Sequence, residues 1–225
     1  MTSRYAVCAS VPLMTPPAIL VVDDDPTFLQ VVPSTLMRAL PDVTVETYRS
    51  ARLAASKLAA GHYDAAITDL RMPDLDGFEV LGETLASRPC TPIVLLTGQH
   101  DSTLTERAFG QGAFDFIPKP FDRERLVSAV SLGIKAHRLR RRIEERRLHM
   151  MQIREVMHRR WEDPLSAKTG EAVNSSRSLM DAAYDRLIAS ATRTEKLIQR
   201  TERVLRRMQN QVHKQALSRV RDQRV

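Results

Sequence analysis

The sequence predicts an α/β protein: a doubly wound five-stranded parallel sheet followed by long α-helices, arranged as a coiled coil or a helical hairpin. Three observations predict it. Five short apolar runs rich in β-branched residues alternate with five amphipathic stretches in the first half of the 225 residues, the pattern of buried parallel strands joined by helical crossovers. Charge then changes sign: residues 18–135 carry 11 Lys and Arg against 16 Asp and Glu, whereas residues 136–225 carry 22 against 11, a balance of −5 followed by +11. The last third also carries an apolar seam with alternating steps of four and three, which is helical spacing. Two regions with different physics therefore meet near residues 122–138. The expected division is a disordered segment over 1–16, the α/β domain over 17–135 and a basic helical effector region over 136–225.

The first predicted strand is Ala18-Ile19-Leu20-Val21-Val22, which stops at Asp23-Asp24-Asp25-Pro26, a helix start. Val43–Thr47, Ala65–Thr68, Ile93–Leu96 and Phe114–Ile117 are the next four. Helical patterns at 27–40, 50–60, 77–87, 101–110 and from 122 onward separate and follow them. Strict alternation demands right-handed crossovers, and ligands of such sheets bind outside the carboxyl ends of the strands. From Asp122 to Arg160 the chain has no proline and only Gly133 as glycine, so the last helix of the domain continues into a long exposed one. Its thin seam is Leu139, Ile143, Met150, Ile153 and Met157. Trp161-Glu162-Asp163-Pro164 ends it, and a second long helix is expected over 175–221, with Met180, Tyr184, Leu187, Ala191, Ile198 and Leu205 in its seam.

Composition excludes several classes. With 43% apolar and 27% charged residues the chain is neither disordered throughout nor collagenous. No stretch approaches the roughly 18 to 20 apolar residues of a membrane span. The N-terminus has a single early Arg4 and an apolar run broken by Pro12, which makes a poor secretory signal, so a cytoplasmic location is expected. Cys8 and Cys90, far apart and without a C-x-x-C partner, indicate two reduced thiols.

The strand ends carry the chemistry. Asp23, Asp24 and Asp25 follow the first strand, Asp69 the third, Thr97 the fourth and Lys119 the fifth. Several carboxylates on one rim raise one another's pKa, and a hard divalent cation relieves that repulsion; Mg²⁺ suits a few carboxylates with retained water and a phosphate oxygen. Lys119 offers an ammonium and Thr97 a hydroxyl to phosphoryl oxygens, which leaves Asp69 as a carboxylate nucleophile. Taken singly, the acid triplet is a helix cap, Thr97 a strand-end hydroxyl and Lys119 a surface charge; together they form one constellation.

The segments VVDDDP, TDLRMPDLDGFEVL, LLTG and GAFDFIPKPF, with 45, 28 and 22 residues between Asp24, Asp69, Thr97 and Lys119, resemble the receiver domain of two-component response regulators, a flavodoxin-like fold. The resemblance implies that Asp69 accepts a phosphoryl group from a sensor histidine kinase. It also implies that Asp23, Asp24, Asp69 and the backbone carbonyl of Arg71 hold Mg²⁺, with Asp25 an extra acid beside them. By the same resemblance Thr97 swings toward the phosphoryl group and draws in Phe116, which stands where the family often has Tyr. A cis peptide between Lys119 and Pro120 is likewise implied.

The second half resembles no family. Its arginines, Arg138 and Arg140–Arg142 among them, either surround a coiled-coil seam with local Glu partners or bind nucleic-acid phosphates; the former is preferred, because aromatic platforms and a compact helix-turn-helix pattern are lacking. His158 faintly suggests a phosphotransfer hairpin, with no ATP-binding segment after it. The expectation is a response regulator, not a conventional enzyme, whose partners are a sensor kinase, a second copy and a downstream protein. Its alternatives are a nucleic-acid-binding regulator and a transfer protein acting through His158.

Overall fold

The computed structural model describes residues 15–99 and 102–161, together with single positions between 186 and 204. Its elements, in chain order, are β1 (Ala18–Val22), α1 (Pro26–Ala39), β2 (Thr44–Tyr48), α2 (Ala51–Ala60), β3 (Ala65–Asp69), α3 (Gly77–Ser87), β4 (Ile93–Thr97), α4 (Ser102–Gly110), β5 (Asp115–Pro118) and α5 (Arg123–Trp161). Every predicted strand is present, with ends displaced by a residue or so. The sheet is wholly parallel in the order β2-β1-β3-β4-β5, so the chain reverses direction across the sheet after β2, and the rim beyond β1 and β3 lies at that reversal.

Alternation along each strand divides the core in two. Ile19, Val21, Ile67, Val94, Leu96 and Ile117 face Leu36 of α1 and Leu126, Val130 and Ile134 of α5. Leu20, Val22, Ala66, Ile93, Leu95 and Phe116 face Leu58 of α2, Phe78 and Leu81 of α3 and Ala108 of α4. Strands covered on both faces need continuous apolar runs; β3 and β4 are buried at every residue, whereas the edge strand β2 is largely exposed.

Local chemistry starts the helices where the rim needs them. Asp25 caps α1 by accepting from Thr27 N, with Pro26 in the first turn, where its missing N–H costs nothing. Asp76 and Glu79 form a reciprocal capping box on α3. Ser50 caps α2 and donates its own hydroxyl to Asp74 at 2.6 Å, tying the loop after β3 to that helix.

Helix α5 is 39 residues long. It packs on the sheet and is held at the amino-terminal rim, where His137 Nδ1 bonds the Cys90 carbonyl at 2.8 Å. Among the described residues no helix is long and apolar enough to cross a membrane. The segment 1–16, apart from Thr15 and Pro16, lies outside the described residues, as do Cys8, Pro164 and the seam side chains of the second predicted helix; the described positions from Arg186 to Val204 are helical. His158 falls within α5.

Candidate functional site

Parallel strands point one way, so their carboxyl ends share a rim, and the tertiary structure gathers three of the predicted side chains there. Asp23, directly after β1, is almost fully buried, and its N–H continues the sheet by donating to the Tyr48 carbonyl at 3.2 Å. Asp69 ends β3 and is also buried. Between them sits the ammonium of Lys119, 2.7 Å from Asp23 Oδ2 and 2.6 Å from Asp69 Oδ1. The remaining carboxylate oxygens are satisfied by backbone: Asp25 N donates to Asp23 Oδ1 at 2.9 Å and Arg71 N to Asp69 Oδ2 at 2.7 Å.

The neighbouring strand end completes the rim. Thr97 is buried, accepts from Gln99 N through Oγ1 at 3.0 Å, and receives the Lys119 N–H on its carbonyl. The Lys119–Pro120 peptide is cis, as the resemblance implies. Gly77 admits the close approach behind Asp69: a Cβ at that position would fall 2.5 Å from the Asp69 carbonyl oxygen.

Electrostatics follows from this packing. Burial pushes the Asp23 carboxyl above its ordinary value, and hydrogen bonds from Lys119 and the Asp25 backbone offset only part of the rise. For Lys119 burial works in the opposite sense to the net result: hydrogen bonds to Asp23 and Asp69, and the charges of both, outweigh it and lift the ammonium pKa above its ordinary value. A single cation thus bridges two crowded anions and offsets one of their two charges.

The three acids after β1 divide their tasks. Asp23 points into the rim, Asp25 is committed to capping α1, and Asp24 is exposed. The donors at the rim are all hard oxygens, two of them on buried carboxylates, which suits a hard cation that keeps its own waters. Among the described residues no three His, Cys, Asp or Glu side chains are grouped as a metal cage. Phe116 is buried in the core cluster that holds Leu95, Phe78 and Leu81, on the α2–α3–α4 side of the sheet.

Two neighbours are absent from the sequence-level set. Gln99 Oε1 accepts from Arg71 Nη2 at 3.3 Å, linking the loops after β3 and β4, and the ring of Phe28 lies 3.9 Å from Lys119 Nζ. Neither carries a sequence signal, since a Gln in a loop and an aromatic in an amphipathic helix are ordinary.

A 2-1-3-4-5 parallel sheet with two buried aspartates and a lysine at its carboxyl rim defines the class of α/β signalling receivers. The family model of the response regulator receiver domain matches residues 19–131, and the chain belongs to that family, as the receiver domain of a two-component response regulator. No family model matches the C-terminal region. Among curated relatives, the C4-dicarboxylate transport transcriptional regulatory protein DctD of Rhizobium meliloti is 34% identical over 140 residues, covering 62% of this chain and 28% of its own. The DNA-binding transcriptional regulator NtrC of Salmonella typhimurium is 33% identical over 116 residues, covering 52% and 24%. The chain thus spans about a quarter of the length of these relatives. Of solved structures, a response regulator receiver domain protein from Clostridium thermocellum superposes with a TM-score of 0.51 at 30% identity, over 55% of this chain and 98% of that one. The structure described as adenylate cyclase from Rhodopirellula baltica gives 0.53 at 30%, over 58% and 96%.

Proposed function

We propose that Asp69 accepts a phosphoryl group from the phosphohistidine of a sensor kinase in a Mg²⁺-dependent reaction, and that the C-terminal helices pass the signal on by dimerisation or partner binding. The observation that supports this reading best is the Lys119 ammonium held between Asp23 and Asp69 at 2.7 and 2.6 Å. An Asp69 carboxylate oxygen attacks phosphorus, the O–P bond forms, the N–P bond breaks, and its electron pair leaves with the imidazole. Lys119 then exchanges its contact with Asp69 for one with a phosphoryl oxygen. Thr97 gives up the Gln99 N–H and turns its hydroxyl toward the same group, and Phe116 moves with the segment beside it. Asp23, Asp24, Asp69 and the Arg71 carbonyl would hold Mg²⁺, which supplies positive charge to the crowded oxygens.

Because α5 begins four residues after Lys119 and continues to Trp161, it is the element through which the receiver reaches residues 136–225. A second reading, nucleic-acid binding, draws on the +11 balance of that region and on relatives described as DNA-binding regulators; a steep loss of affinity with salt is its mark.

The test is phosphorylation by a small acyl phosphate with Mg²⁺, read by intact mass and by light-scattering mass on the same samples. Wild type gains one phosphoryl group, Asp69→Ala gains none, and chelation of Mg²⁺ abolishes the gain. A wild-type protein that takes up nothing, or an Asp69→Ala variant that takes up as much, overturns the proposal. A change of mass in solution on phosphorylation assigns the output to self-association; a constant mass assigns it to a partner or to nucleic acid.

A further inference from the structure

The Lys119 ammonium has three N–H donors, and two are used by carboxylates from different strands. The third side of the ammonium meets the face of Phe28, with Nζ 3.9 Å from the ring centroid. That is well inside the roughly 6 Å over which a ring quadrupole attracts a cation. The ring is itself located: Phe28 lies in the first turn of α1, fixed by the Asp25 cap and Pro26, and it is tilted 58° against Phe121 at 5.8 Å. The Lys119 side chain is 17% exposed, so the contact is largely shielded from water, where such attraction is strongest.

We infer that Phe28 is a positioning residue for Lys119, holding the ammonium over its ring while Asp69 is exchanged for a phosphoryl oxygen. The inference rests on the phosphoacceptor reading of Asp69 for its kinetic consequence, though not for its geometry. The Asp69 contact is lost when that carboxylate reacts, because its charge and oxygen positions move. The ring contact carries no formal charge and is supplied by α1, so the reaction leaves it in place. A long, flexible lysine stem then keeps one fixed neighbour throughout. An aliphatic residue would fill the same space but offer no negative face.

The experiment has two arms. In the unphosphorylated protein, NMR of the Lys119 ε-methylene protons reads the ring directly: they are shifted upfield in wild type and return toward ordinary lysine values in Phe28→Leu. Ordinary values in wild type overturn the inference. In the second arm, phenylalanines carrying one, two and three ring fluorines are placed at position 28, which weakens the quadrupole with little change of size. The rate of phosphoryl uptake from a small acyl phosphate falls in step with fluorination, by about 2- to 5-fold across the series, and the same series in Lys119→Met is flat. A flat series in the Lys119 protein overturns the inference, as does an equal decline in Lys119→Met. If wild type takes up no phosphoryl group, the phosphoacceptor reading fails, while the proton shifts still decide whether the ring holds the ammonium. Should Phe28→Leu fail to fold, trifluorinated phenylalanine replaces it in the first arm, with a reduced upfield shift expected.

Discussion

Arg138 of α5 donates from Nε to Asp64 Oδ1 at 3.1 Å, joining residues 74 apart in sequence at the rim opposite Asp69. Asp64 Oδ2 accepts from Ala18 N, the first residue of β1, at 3.1 Å, and Arg138 Nη2 reaches the Thr15 carbonyl at 2.7 Å. One carboxylate thus binds the start of β1 to a helix that continues past the receiver. The His137 bond to Cys90 lies beside it, and Gly133 allows α5 to approach Pro92, where a Cβ would lie 3.3 Å from Cγ. Helix α5 therefore leaves the receiver from an anchored point at the amino rim.

Removing either partner tests this clamp. Asp64 is mostly buried and the Arg138 side chain 26% exposed, so solvent screens part of the attraction. Asp64→Asn and Arg138→Met are each expected to cost about 1 kcal/mol in urea unfolding, with a double-mutant coupling below that. Phosphoryl uptake at Asp69 should be nearly unchanged in both, since the clamp lies at the far end of the sheet, while hydrogen exchange in α5 beyond Lys135 should rise. Unchanged exchange would show that the clamp does not anchor the helix.

His137 makes that anchor sensitive to acid. Burial lowers its pKa, helped by the charges of Arg141 and Arg140 and opposed by the hydrogen bond to the Cys90 carbonyl and by Asp64. The unfolded chain, with an imidazole pKa near about 6.5, therefore takes up a proton more readily than the folded one. The stability due to neutral His137 is complete above that value and is lost as pH falls from it through the lower folded pKa. The urea midpoint should drop as pH is lowered across this window, less steeply in His137→Asn, whose amide can still donate to the Cys90 carbonyl. Some slope will remain, because His62 is lowered in the same sense by burial and by Arg88 and Arg141. An identical slope in wild type and His137→Asn would refute the assignment.

Gly77→Ala should damage fold and site together. The added methyl would meet the Asp69 carbonyl oxygen at 2.5 Å and Leu70 Cα at 3.0 Å, both backbone atoms that cannot rotate away. A cost of about 1 to 3 kcal/mol is expected, with slower phosphoryl uptake because Asp69 shifts. By contrast Gly82→Ala has open space around its Cβ and, in the middle of α3, should stabilise by about 0.5 to 1 kcal/mol. Comparing the thermal midpoints and uptake rates of the two variants separates local crowding from a general glycine effect.

Much of the receiver was legible because its signals are local and repeated. Runs such as Ile93-Val94-Leu95-Leu96 are long enough for a strand and too short for a helix, and in a parallel sheet the residue after each run falls on one rim. Asp69, Lys119 and the acid triplet after β1 are therefore legible as neighbours on one rim without any distance. Within that triplet the residues are alike in composition, and what separates them is tertiary and local contact: Asp23 is buried against Lys119, Asp24 is exposed, and Asp25 caps Thr27 N. Spacing alone makes Arg138, Arg140, Arg141 and Arg142 equivalent members of a charged run, although in the fold Arg138 bonds Asp64 and Arg141 lies beside Glu145.

The sequence by itself determined the order of strands and helices, the faces they bury and the identity of the groups at the strand ends, since each follows from side-chain periodicity and from chain direction. Tertiary structure alone decided which of those groups touch. Lys119 settles between Asp23 and Asp69, Phe28 turns its face to that ammonium, and α5 is fastened at Asp64. These contacts join residues far apart in the chain, and their existence depends on how helices seat against the sheet, a geometry set by the packing of the whole core and not by any one segment.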